Sequence, residues 1–426
     1  MSGASNLARG FGFAQALQCV LHHAAEVRTM GAERVSLLQS AQRVLTEEVR
    51  ADRDQPPFDR ATRDGFAVRA AEWTSGRRLR VAGQVRAGDA WLCGSIQAGE
   101  AVEIMTGAAL PVGADAVAMM EHSEQDGGEV RAAAGRSLRA EENIVRRGSE
   151  ARLGEVLLAA GTSLGAAEIA LAASCGYAEL SVCNRPEVAI VATGDELVEL
   201  DQTPETHQIR NSNGYALAAL VEAAGGKACR LAIARDSLDS LRKRIAEGRE
   251  NDLLLLSGGV SVGKYDLVEE VLAEAGAEFF FTGVRMQPGK PAVFGRLPRS
   301  ESASQQFSNS AEKREWTYFF GLPGNPVSTQ VTFHCFVGPL LRALCGAGVA
   351  GPRFVQATLA EVAKGKNGLT RILPAIVRHD LERPEVRIVG SQGSGDLAAN
   401  SRSNCYAVLP EGRDCKAGDV ISVLLR

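Results

Sequence analysis

Short apolar segments alternate with amphipathic segments between residues 186 and 345, and this alternation constrains the fold more than any other feature of the sequence. The clearest repeats are EVAIVAT then NGYALAALVEAAG, ACRLAIA then SLDSLRKRIAEG, and DLLLLSG then KYDLVEEVLAEAG. The apolar runs EFFFTGV, PAVFGRL and TYFFGL follow, and the helical pattern STQVTFHCFVGPLL closes the series. Strands that alternate with helices are typical of an open, mostly parallel sheet with helices on both faces. We therefore predict an α/β protein with a central, Rossmann-like αβα domain.

The remaining segments predict further domains around this one. The chain has 426 residues, too many for one hydrophobic core. Helical periodicity covers residues 14–50 and 163–176, whereas residues 78–150 contain short strands between glycine-rich turns, and strands resume after residue 350. We predict a helical linking domain (1–52 plus 152–184), a β-rich inserted domain (53–151), the αβα domain (185–345) and a C-terminal β-barrel domain (346–426), with a sandwich as the alternative to the barrel.

Composition argues against several classes of protein. The formal net charge of −4 is unlike that of a general nucleic-acid binder, which is usually basic. The nine cysteines are scattered without a C-x-x-C pair, as in reduced cytosolic proteins, and the six histidines offer no zinc spacing. No apolar run is long enough to cross a bilayer, and the N-terminal stretch fits an amphipathic helix better than a signal peptide. We expect a cytoplasmic protein, with the Ser-rich segment 298–315 as a mobile surface loop without a catalytic role.

Polar loops follow the strands of the predicted αβα domain. In an open α/β sheet, ligands bind at the carboxyl ends of the strands, so these loops are candidates for a binding site. They are Gly194-Asp195-Glu196, Arg235-Asp236-Ser237, the run SGGVSVGKYD (257–266), the run QPGKP (287–291) and the run PGNPVS (323–328).

The loops carry groups that suit an anionic ligand and its counter-ion. Glu196, Asp236 and Asp266 are expected on one rim, where clustered carboxylates beside a phosphate site usually hold Mg²⁺. The SGGVSVG run supplies backbone N–H groups that can cradle an anion. Ser328 at a helix start adds the positive end of the helix dipole, and Lys290 adds a movable positive charge.

Each motif also has a purely structural interpretation. The Gly-Asp-Glu turn can be solvated, Asp236 can cap the next helix, and Ser-Gly-Gly can be a tight turn between a strand and a helix. Lys290 can be simply exposed, and Ser328 can serve only as a helix cap. The meeting of all five loops at one edge of one domain favours a binding site over five separate turns.

Six segments, taken in order, resemble the molybdopterin molybdenumtransferases, the family of MoeA and the gephyrin E-domain. The resemblance extends from about residue 33 to the C-terminus, and SGGVSVGKYD together with PGNPVS is a specific pair. The segments are PPFDRATRDGFAVRA, EIMTGA, ATGDELV, LLLLSGGVSVGKYDLV, MQPGKPAVFG and GLPGNPVS.

The resemblance implies a four-domain, elongated homodimer whose central domain has the MogA-like fold of the adenylyltransferase that makes the substrate. It implies insertion of molybdate into adenylyl-molybdopterin, which gives molybdenum cofactor, AMP and water with a divalent cation, expected to be Mg²⁺. The adenylyltransferase is then the expected upstream partner, and neither nucleic acid nor membrane is expected as a partner.

Two other functions are compatible with parts of the sequence. A gephyrin-like scaffold would bind partner peptides without catalysis, but retention of Asp64, Asp236, Asp266 and Lys290 favours an enzyme. A nucleotide-cleaving or adenylyl-transferring enzyme could share the αβα domain alone. The flanking loops around Asp64 and Thr106 argue against that second alternative.

The resemblance also assigns roles to individual residues. Asp64 and Thr106 would come from the other subunit or from the β insert and face the site. Glu196, Asp236 and Asp266 would serve the metal and the adenylate, with Lys290 as a further catalytic residue. The residues implied to bind substrate are Ser257, Gly258, Gly259, Ser261, Pro291, Pro323, Gly324, Asn325, Ser328 and Arg371.

Two positions depart from the family's pattern. The usual Met-Asp-Gly-Tyr reads Arg63-Asp64-Gly65-Phe66 here, which keeps the acid and changes its neighbours. The usual Asp after an Arg-x-x-Gly stretch is Glu150, which keeps the charge on a longer side chain and leaves the role of this position open.

Overall fold

The computed structural model describes residues 9–259, 267–299, 315–378 and 383–426. Most of the Ser-rich segment predicted as a surface loop lies outside these ranges, and so do Ser261 and Asp266. No helix within the described ranges is both long and apolar enough to cross a membrane.

The helices and strands are numbered in chain order. The helices are α1 (Phe13–Glu26), α2 (Ala166–Ser174), α3 (Ser212–Ala223), α4 (Leu238–Gly248), α5 (Leu267–Glu274), α6 (Pro326–Thr332), α7 (Gly338–Leu344) and α8 (Leu397–Ser401). The strands are β1 (Arg9–Gly12), β2 (Ala32–Ser36), β3 (Val49–Arg50), β4 (Arg60–Ala61), β5 (Gly65–Val68), β6 (Leu79–Val85), β7 (Glu100–Ile104), β8 (Ala116–Met119), β9 (Ser123–Asp126), β10 (Glu129–Ala132), β11 (Ile144–Val145), β12 (Val156–Leu158), β13 (Glu179–Cys183), β14 (Glu187–Ala192), β15 (Leu197–Val198), β16 (Ile209–Arg210), β17 (Lys227–Arg230), β18 (Leu253–Ser257), β19 (Glu278–Gln287), β20 (Val293–Pro298), β21 (Trp316–Leu322), β22 (Phe354–Leu359), β23 (Thr370–Arg378), β24 (Glu385–Ile388), β25 (Cys405–Leu409) and β26 (Val420–Leu425).

The central domain contains the predicted open sheet. Its strands lie in the order β17-β14-β18-β21-β20-β19, and β1 pairs with β19. β17, β14, β18 and β21 are parallel, whereas β20 is antiparallel to both β21 and β19. β18 reads Leu-Leu-Leu-Leu-Ser and is buried along its whole length, because helices cover both faces of the sheet. The predicted αβα architecture is therefore confirmed.

The first described segment packs with this central sheet. β1 runs parallel to β19, with Phe11 opposite Val284. Ala16, Val20 and Ala24 of α1 are buried in the core that also contains α7. Residues 9–26 thus pack with the αβα domain, although the sequence analysis grouped them with the linking domain. The proposed division into four domains remains a prediction as a whole.

The helical periodicity predicted over residues 14–50 is wrong beyond Glu26. Residues 32–36 form β2, which pairs antiparallel with β13, and β3 pairs antiparallel with β12. Apolar residues of these strands pack with α2, among them Val49 and Val182. Pairing with a segment far away in the chain decides the conformation here, and local periodicity carries no signal of such pairing.

The β-rich insert forms a six-stranded sheet in the order β8-β5-β7-β6-β10-β9. The interior strand β5, next to the edge strand β8, reads Gly-Phe-Ala-Val and is wholly buried. Phe66 and Val68 belong to the core on one face of the sheet, and Ala67 belongs to the core on the other. The insert is therefore covered on both faces, which explains why β5 lacks an alternation of polar and apolar residues.

The C-terminal strands close into a barrel. They pair in the order β23-β24-β22-β26-β25, and β25 pairs back with β23. Closure leaves this sheet without a free edge and confirms the barrel over the sandwich alternative. Between β24 and β25 lies the short helix α8, the one described helix of a region for which no helix was predicted.

A short parallel pairing joins the barrel to the central sheet. Met286 at the end of β19 pairs with Thr370, and Gln287 pairs with Arg371 at the start of β23. This pairing brings the barrel to the carboxyl end of β19, where the predicted binding loops lie.

Candidate functional site

A cleft of about 820 Å³ opens at the carboxyl ends of β14, β18, β19 and β21, and residues of the barrel complete its lining. Most of the predicted site residues lie in it. They are Glu196, Asp236, Ser257, Gly258, Gly259, Lys290, Pro291, Pro323, Gly324, Asn325, Ser328 and Arg371. The structure therefore brings the five predicted loops together, apart from Ser261 and Asp266, which are outside the described residues.

The Ser-Gly-Gly loop after β18 packs directly on the end of β14. Gly258 and Gly259 have φ angles of +95° and +67°, a region that side chains rarely adopt. A Cβ on Gly258 would lie 2.6 Å from the carbonyl oxygen of Thr193, and a Cβ on Gly259 would lie 2.7 Å from the Thr193 hydroxyl. Only glycine fits at these two positions, and its small size leaves the backbone open to a ligand.

The acidic rim is built from two hydrogen-bonded loops. The backbone N–H of Asp236 donates to Oδ1 of Asp195 at 3.2 Å, and the Arg235 guanidinium donates to the carbonyl of Asp195 at 3.1 Å. Glu196 and Asp236 are both exposed and line the cleft. Ser237 occupies the N-cap position of α4, so the alternative that Asp236 caps this helix is not supported.

Two of the three predicted metal ligands line the cleft. Glu196 and Asp236 offer carboxylate oxygens, the ligands that Mg²⁺ prefers. Within the described ranges, no group of three or more His, Cys, Asp or Glu side chains is placed to hold a metal ion. Asp266, the third predicted ligand, is not among the described residues.

The cationic part of the cleft lies where β19 meets the barrel. Lys290 is exposed in a tight loop, in which its carbonyl accepts a hydrogen bond from the N–H of Val284 at 2.8 Å. Arg371 is half-buried and donates to the carbonyl of Lys364. The Nε of Arg371 is buried and has no hydrogen-bond partner in the described part of the chain. A half-buried guanidinium with free donors beside a lysine suits an oxyanion.

A long helix begins at the opposite loop. It runs from α6 through a π-helical turn (Phe333–Val337) into α7, with Asn325 at the N-cap and Pro326 in the first turn. Ser328 lies inside this first turn and is 3% exposed, so the alternative that Ser328 is the cap is wrong. The positive end of the helix dipole is directed at the cleft.

The barrel contributes a loop that the sequence analysis did not identify. The carbonyl of Ser394 accepts from the N–H of Val327 at 3.0 Å, and its hydroxyl accepts from Nδ2 of Asn325 at 2.9 Å. Ser391, Gln392 and Gly393 also line the cleft. The run Ser-Gln-Gly-Ser-Gly (391–395) was a possible signal, because it combines hydroxyls with glycines in an otherwise β-rich region.

Several buried polar atoms of the cleft have no partner. Within the described residues, Oγ1 of Thr193, Oδ1 of Asn213 and Oε1 of Gln287 make no hydrogen bond. All three residues line the cleft, and none of them was singled out from the sequence. Because a buried polar atom is costly when it is left unpaired, these atoms indicate that a polar ligand completes the site.

Asp64 and Thr106 do not line the cleft of their own chain. They lie in the β insert, where Oδ1 of Asp64 accepts from the N–H of Thr106 at 2.7 Å and from its hydroxyl at 2.8 Å. These two bonds, the backbone one first, lower the pKa of Asp64 and keep it ionised. Glu150, whose role was open, accepts from the guanidinium of Arg60 at 2.8 Å.

Three family models cover this architecture from end to end. The MoeA N-terminal region (domain I and II) matches residues 12–176, the probable molybdopterin binding domain matches residues 189–343, and the MoeA C-terminal region (domain IV) matches residues 356–425. The fold and the site thus define a multidomain protein of the MoeA type, with its cleft on the molybdopterin-binding domain.

Individual relatives agree with this class. The molybdopterin molybdenumtransferase of Staphylococcus aureus (strain COL) is 33% identical over 408 residues, covering 93% of this chain and 92% of the relative. Its counterpart in Staphylococcus epidermidis is 30% identical over 420 residues, covering 96% and 94%. The crystal structure of the molybdopterin biosynthesis protein moeA from Pyrococcus horikoshii OT3 superposes with a TM-score of 0.76 at 26% identity, covering 98% and 100% of the two chains. The chain belongs to the molybdopterin molybdenumtransferase family.

These comparisons confirm the resemblance seen in the sequence. The matches extend over the linking, inserted and barrel regions, so they exclude an enzyme that shares the αβα domain alone. The relatives are named as transferases, which supports the enzymatic interpretation over the gephyrin-like scaffold.

Proposed function

We propose that this chain inserts molybdate into adenylyl-molybdopterin and releases AMP in the last step of molybdenum cofactor biosynthesis. The relatives named molybdopterin molybdenumtransferase support the proposal. The observation that carries it is the cleft, where cations, carboxylates and unpaired polar atoms converge at one sheet edge. Such a cleft suits a ligand that combines a heterocycle with phosphates and meets an oxyanion as its second substrate.

Molybdate is assigned to the cationic part of the cleft. Lys290 and Arg371 would offset its negative charge, and Arg371 has an unpaired buried Nε to offer. Pro291 shapes the loop beside them, and Ser328 in the first turn of α6 adds a hydroxyl near the positive helix end. We assign no side chain as a nucleophile.

The phosphates of adenylyl-molybdopterin are assigned to the glycine loop. Ser257, Gly258 and Gly259 present backbone N–H groups and a hydroxyl at the end of β18. Ser261, two residues further along the sequence, is proposed to bind substrate as well. The neighbouring wall of the substrate site is proposed to consist of Pro323, Gly324 and Asn325.

Glu196, Asp236 and Asp266 are proposed to hold Mg²⁺. Both described carboxylates are exposed to the cleft and suit a hard divalent cation. The ion would offset the negative charge of the phosphoanhydride as that bond is cleaved. Glu196 and Asp236 lie in loops at the same edge of the sheet as the glycine loop. These two carboxylates would therefore hold the ion beside that loop.

A homodimer is proposed because the site lacks two of the assigned residues. Asp64 and Thr106 do not line the cleft of their own chain, and two hydrogen bonds from Thr106 hold the ionised carboxylate of Asp64 at the surface of the insert. In the proposed dimer, this pair of one chain faces the cleft of the other.

The proposed upstream partner is the molybdopterin adenylyltransferase, which would supply the adenylylated substrate. The proposed location is the cytoplasm, in accord with nine cysteines that are all free thiols.

AMP release from adenylyl-molybdopterin, with and without molybdate and Mg²⁺, tests the proposal. We expect release that depends on both ions, and a loss of about 10²-fold or more in Asp236→Ala and Asp266→Ala. Asp239→Ala is the matched control, since Asp239 is exposed on α4 and pairs with Arg242 at 3.0 Å, away from the cleft. A folded wild-type protein without turnover, or equal losses in the Asp239 control, would contradict the proposal.

A further inference from the structure

The side chain of Asn213 connects two loops of the cleft. Asn213 stands in the first turn of α3, after the N-cap residue Asn211. Its Nδ2 donates to Oγ of Ser257 at 2.9 Å and to the carbonyl of Gly324 at 2.7 Å. Ser257 ends β18 and Gly324 follows β21, so one amide group joins the ends of two adjacent parallel strands.

The two loops are in direct contact at this point. A Cβ on Gly324 would lie 3.5 Å from Cα of Gly258, and the N–H of Gly258 donates to the carbonyl of Leu322 at 3.1 Å. Asn213 therefore holds the proposed phosphate loop against the proposed substrate wall. A shift of either loop would displace groups that must meet the substrate.

The oxygen of the same amide is unused. Because a carbonyl can only accept, the contact with Gly324 fixes Nδ2 on that side and leaves Oδ1 facing away from it. Oδ1 of Asn213 is buried, has no partner within the described residues, and belongs to a residue that lines the cleft. Because an unpaired buried acceptor is costly, a hydrogen bond from a ligand N–H would stabilise this atom.

We propose that Asn213 both positions two loops of the cleft and binds substrate in the transferase reaction, an inference that rests on the proposed function. It fixes the Ser257 and Gly324 loops relative to each other, and its free Oδ1 accepts a hydrogen bond from an N–H group of the adenylyl-molybdopterin. Such donors occur on the pyrimidine edge of the pterin and on the adenine amino group. The two sources are separated by the experiment below.

The first test compares Asn213→Ala and Asn213→Asp in the AMP-release assay. Asn213→Ala removes both functions, and we expect kcat/KM to fall about 10²-fold. Asn213→Asp at pH 8 keeps the acceptor but puts a carboxylate against the Gly324 carbonyl, so it should lose activity as well. Burial and the facing Gly324 carbonyl oxygen should raise the pKa of the introduced carboxyl. At pH 5.5 the protonated fraction regains one donor, and the activity of Asn213→Asp relative to wild type should recover about 10-fold.

A matched variant controls for the chemical change itself. Asn251 also donates through Nδ2 to two carbonyls, those of Glu247 at 3.4 Å and Gly248 at 3.2 Å, and it lies outside the cleft. Asn251→Asp should keep the wild-type kcat/KM at both pH values. Wild-type activity in Asn213→Ala would overturn the proposal. So would equal relative losses of Asn213→Asp at pH 5.5 and pH 8, because a merely structural defect would not titrate in this way.

Binding measurements distinguish failure of this inference from failure of the proposed function. Calorimetry with AMP alone and with molybdopterin alone compares wild type with Asn213→Ala. Weaker binding of molybdopterin only assigns the donor to the pterin, and weaker binding of AMP only assigns it to the adenine. If wild type binds these probes without turnover, the proposed function fails while this comparison still decides the role of Asn213. If Asn213→Ala binds AMP and molybdopterin with the affinity of wild type, the inference is wrong.

Discussion

The base of the β insert and the central cleft are both rich in charged side chains, but the two regions differ in how those charges are partnered. At the base of the insert, Nε of Arg147 donates to Asp54 at 2.8 Å. Asp59 accepts from the Arg147 N–H at 2.8 Å and also from the guanidinium of Arg146. Each of these charged groups forms a hydrogen bond or ion pair with another group of the same chain. Together these bonds fix the two chain segments that lead into and out of the insert.

In the cleft the corresponding groups lack such partners. The side chains of Glu196, Asp236 and Lys290 make no hydrogen bond or ion pair with any described residue, although all three line the same cavity. Ion pairing at the insert stabilises a backbone conformation, whereas unpaired charge in the cleft leaves its groups available to a ligand. The two regions therefore differ less in the number of their charged side chains than in whether those side chains are paired within the chain.

The largest expected effect tests the cationic side of the cleft. In Lys290→Ala we expect kcat/KM for molybdate-dependent AMP release to fall about 10²-fold to 10³-fold, because an unpaired charge beside the substrate is lost. The melting temperature should stay unchanged, since Lys290 is exposed. Lys227→Ala is the control, as Lys227 is exposed and pairs with Glu187 at 2.7 Å. Full activity in Lys290→Ala would show that unpaired charge does not mark the site.

A half-buried histidine outside the cleft sharpens the comparison. His334 lies in the π-helical turn between α6 and α7, with its ring centroid 5.9 Å from that of Tyr406. Burial, followed by the charges of Arg426 and Arg342, lowers the pKa of His334 to about 4. An unfolded chain titrates near 6.5, so it binds more protons than the folded chain between these values. Stability is therefore complete above about pH 6.5 and declines as the pH falls to 4, by about 3 kcal/mol.

Thermal unfolding between pH 7.5 and pH 4.5 measures this effect. The melting temperature of His334→Gln should depend less on pH in this window than that of wild type, while its KM for adenylyl-molybdopterin at pH 7.5 should stay within about 2-fold. Equal acid sensitivity of the two proteins would rule out His334 as the cause. An altered KM would mean that burial outside the cleft also affects substrate binding.

The sequence was sufficient to predict the loops of the site because they follow strands of a regular α/β repeat. Glu196, Asp236 and Lys290 could be placed at one edge, since the carboxyl ends of parallel strands must meet there. The same reasoning failed for residues 32–36, because β2 gains its partner from β13, and nothing local reports that pairing.

Other parts of the site depend on contacts between segments that lie far apart in the chain. Arg371 reaches the cleft through the short pairing with Gln287, and its place was implied only by family resemblance. Ser394 meets Asn325 only once the barrel has docked. Asn213 reads as an ordinary residue in a helix first turn until its bond to Gly324 is seen. The spacing of residues within one segment contains no information on its contacts with distant segments.

The smallest expected effect tests the paired region. Partial burial alone would raise the pKa of Asp59, but the Arg147 N–H and the Arg146 guanidinium together hold it below its usual value. Asp59→Asn removes these charge-assisted bonds and should cost about 1–2 kcal/mol at pH 7, seen as a lower melting temperature.

The stability that Asp59 contributes depends on pH. A lowered carboxylate pKa stabilises the fold above about pH 4, the value in the unfolded chain, and that stabilisation is lost as the pH falls through the folded pKa. The difference between wild type and Asp59→Asn should therefore shrink below pH 4. Asp239→Asn, at an exposed pair with Arg242, should change the melting temperature far less. If Asp59→Asn instead abolished AMP release without lowering stability, the base of the insert would act on the substrate, and partnering would no longer separate the two regions.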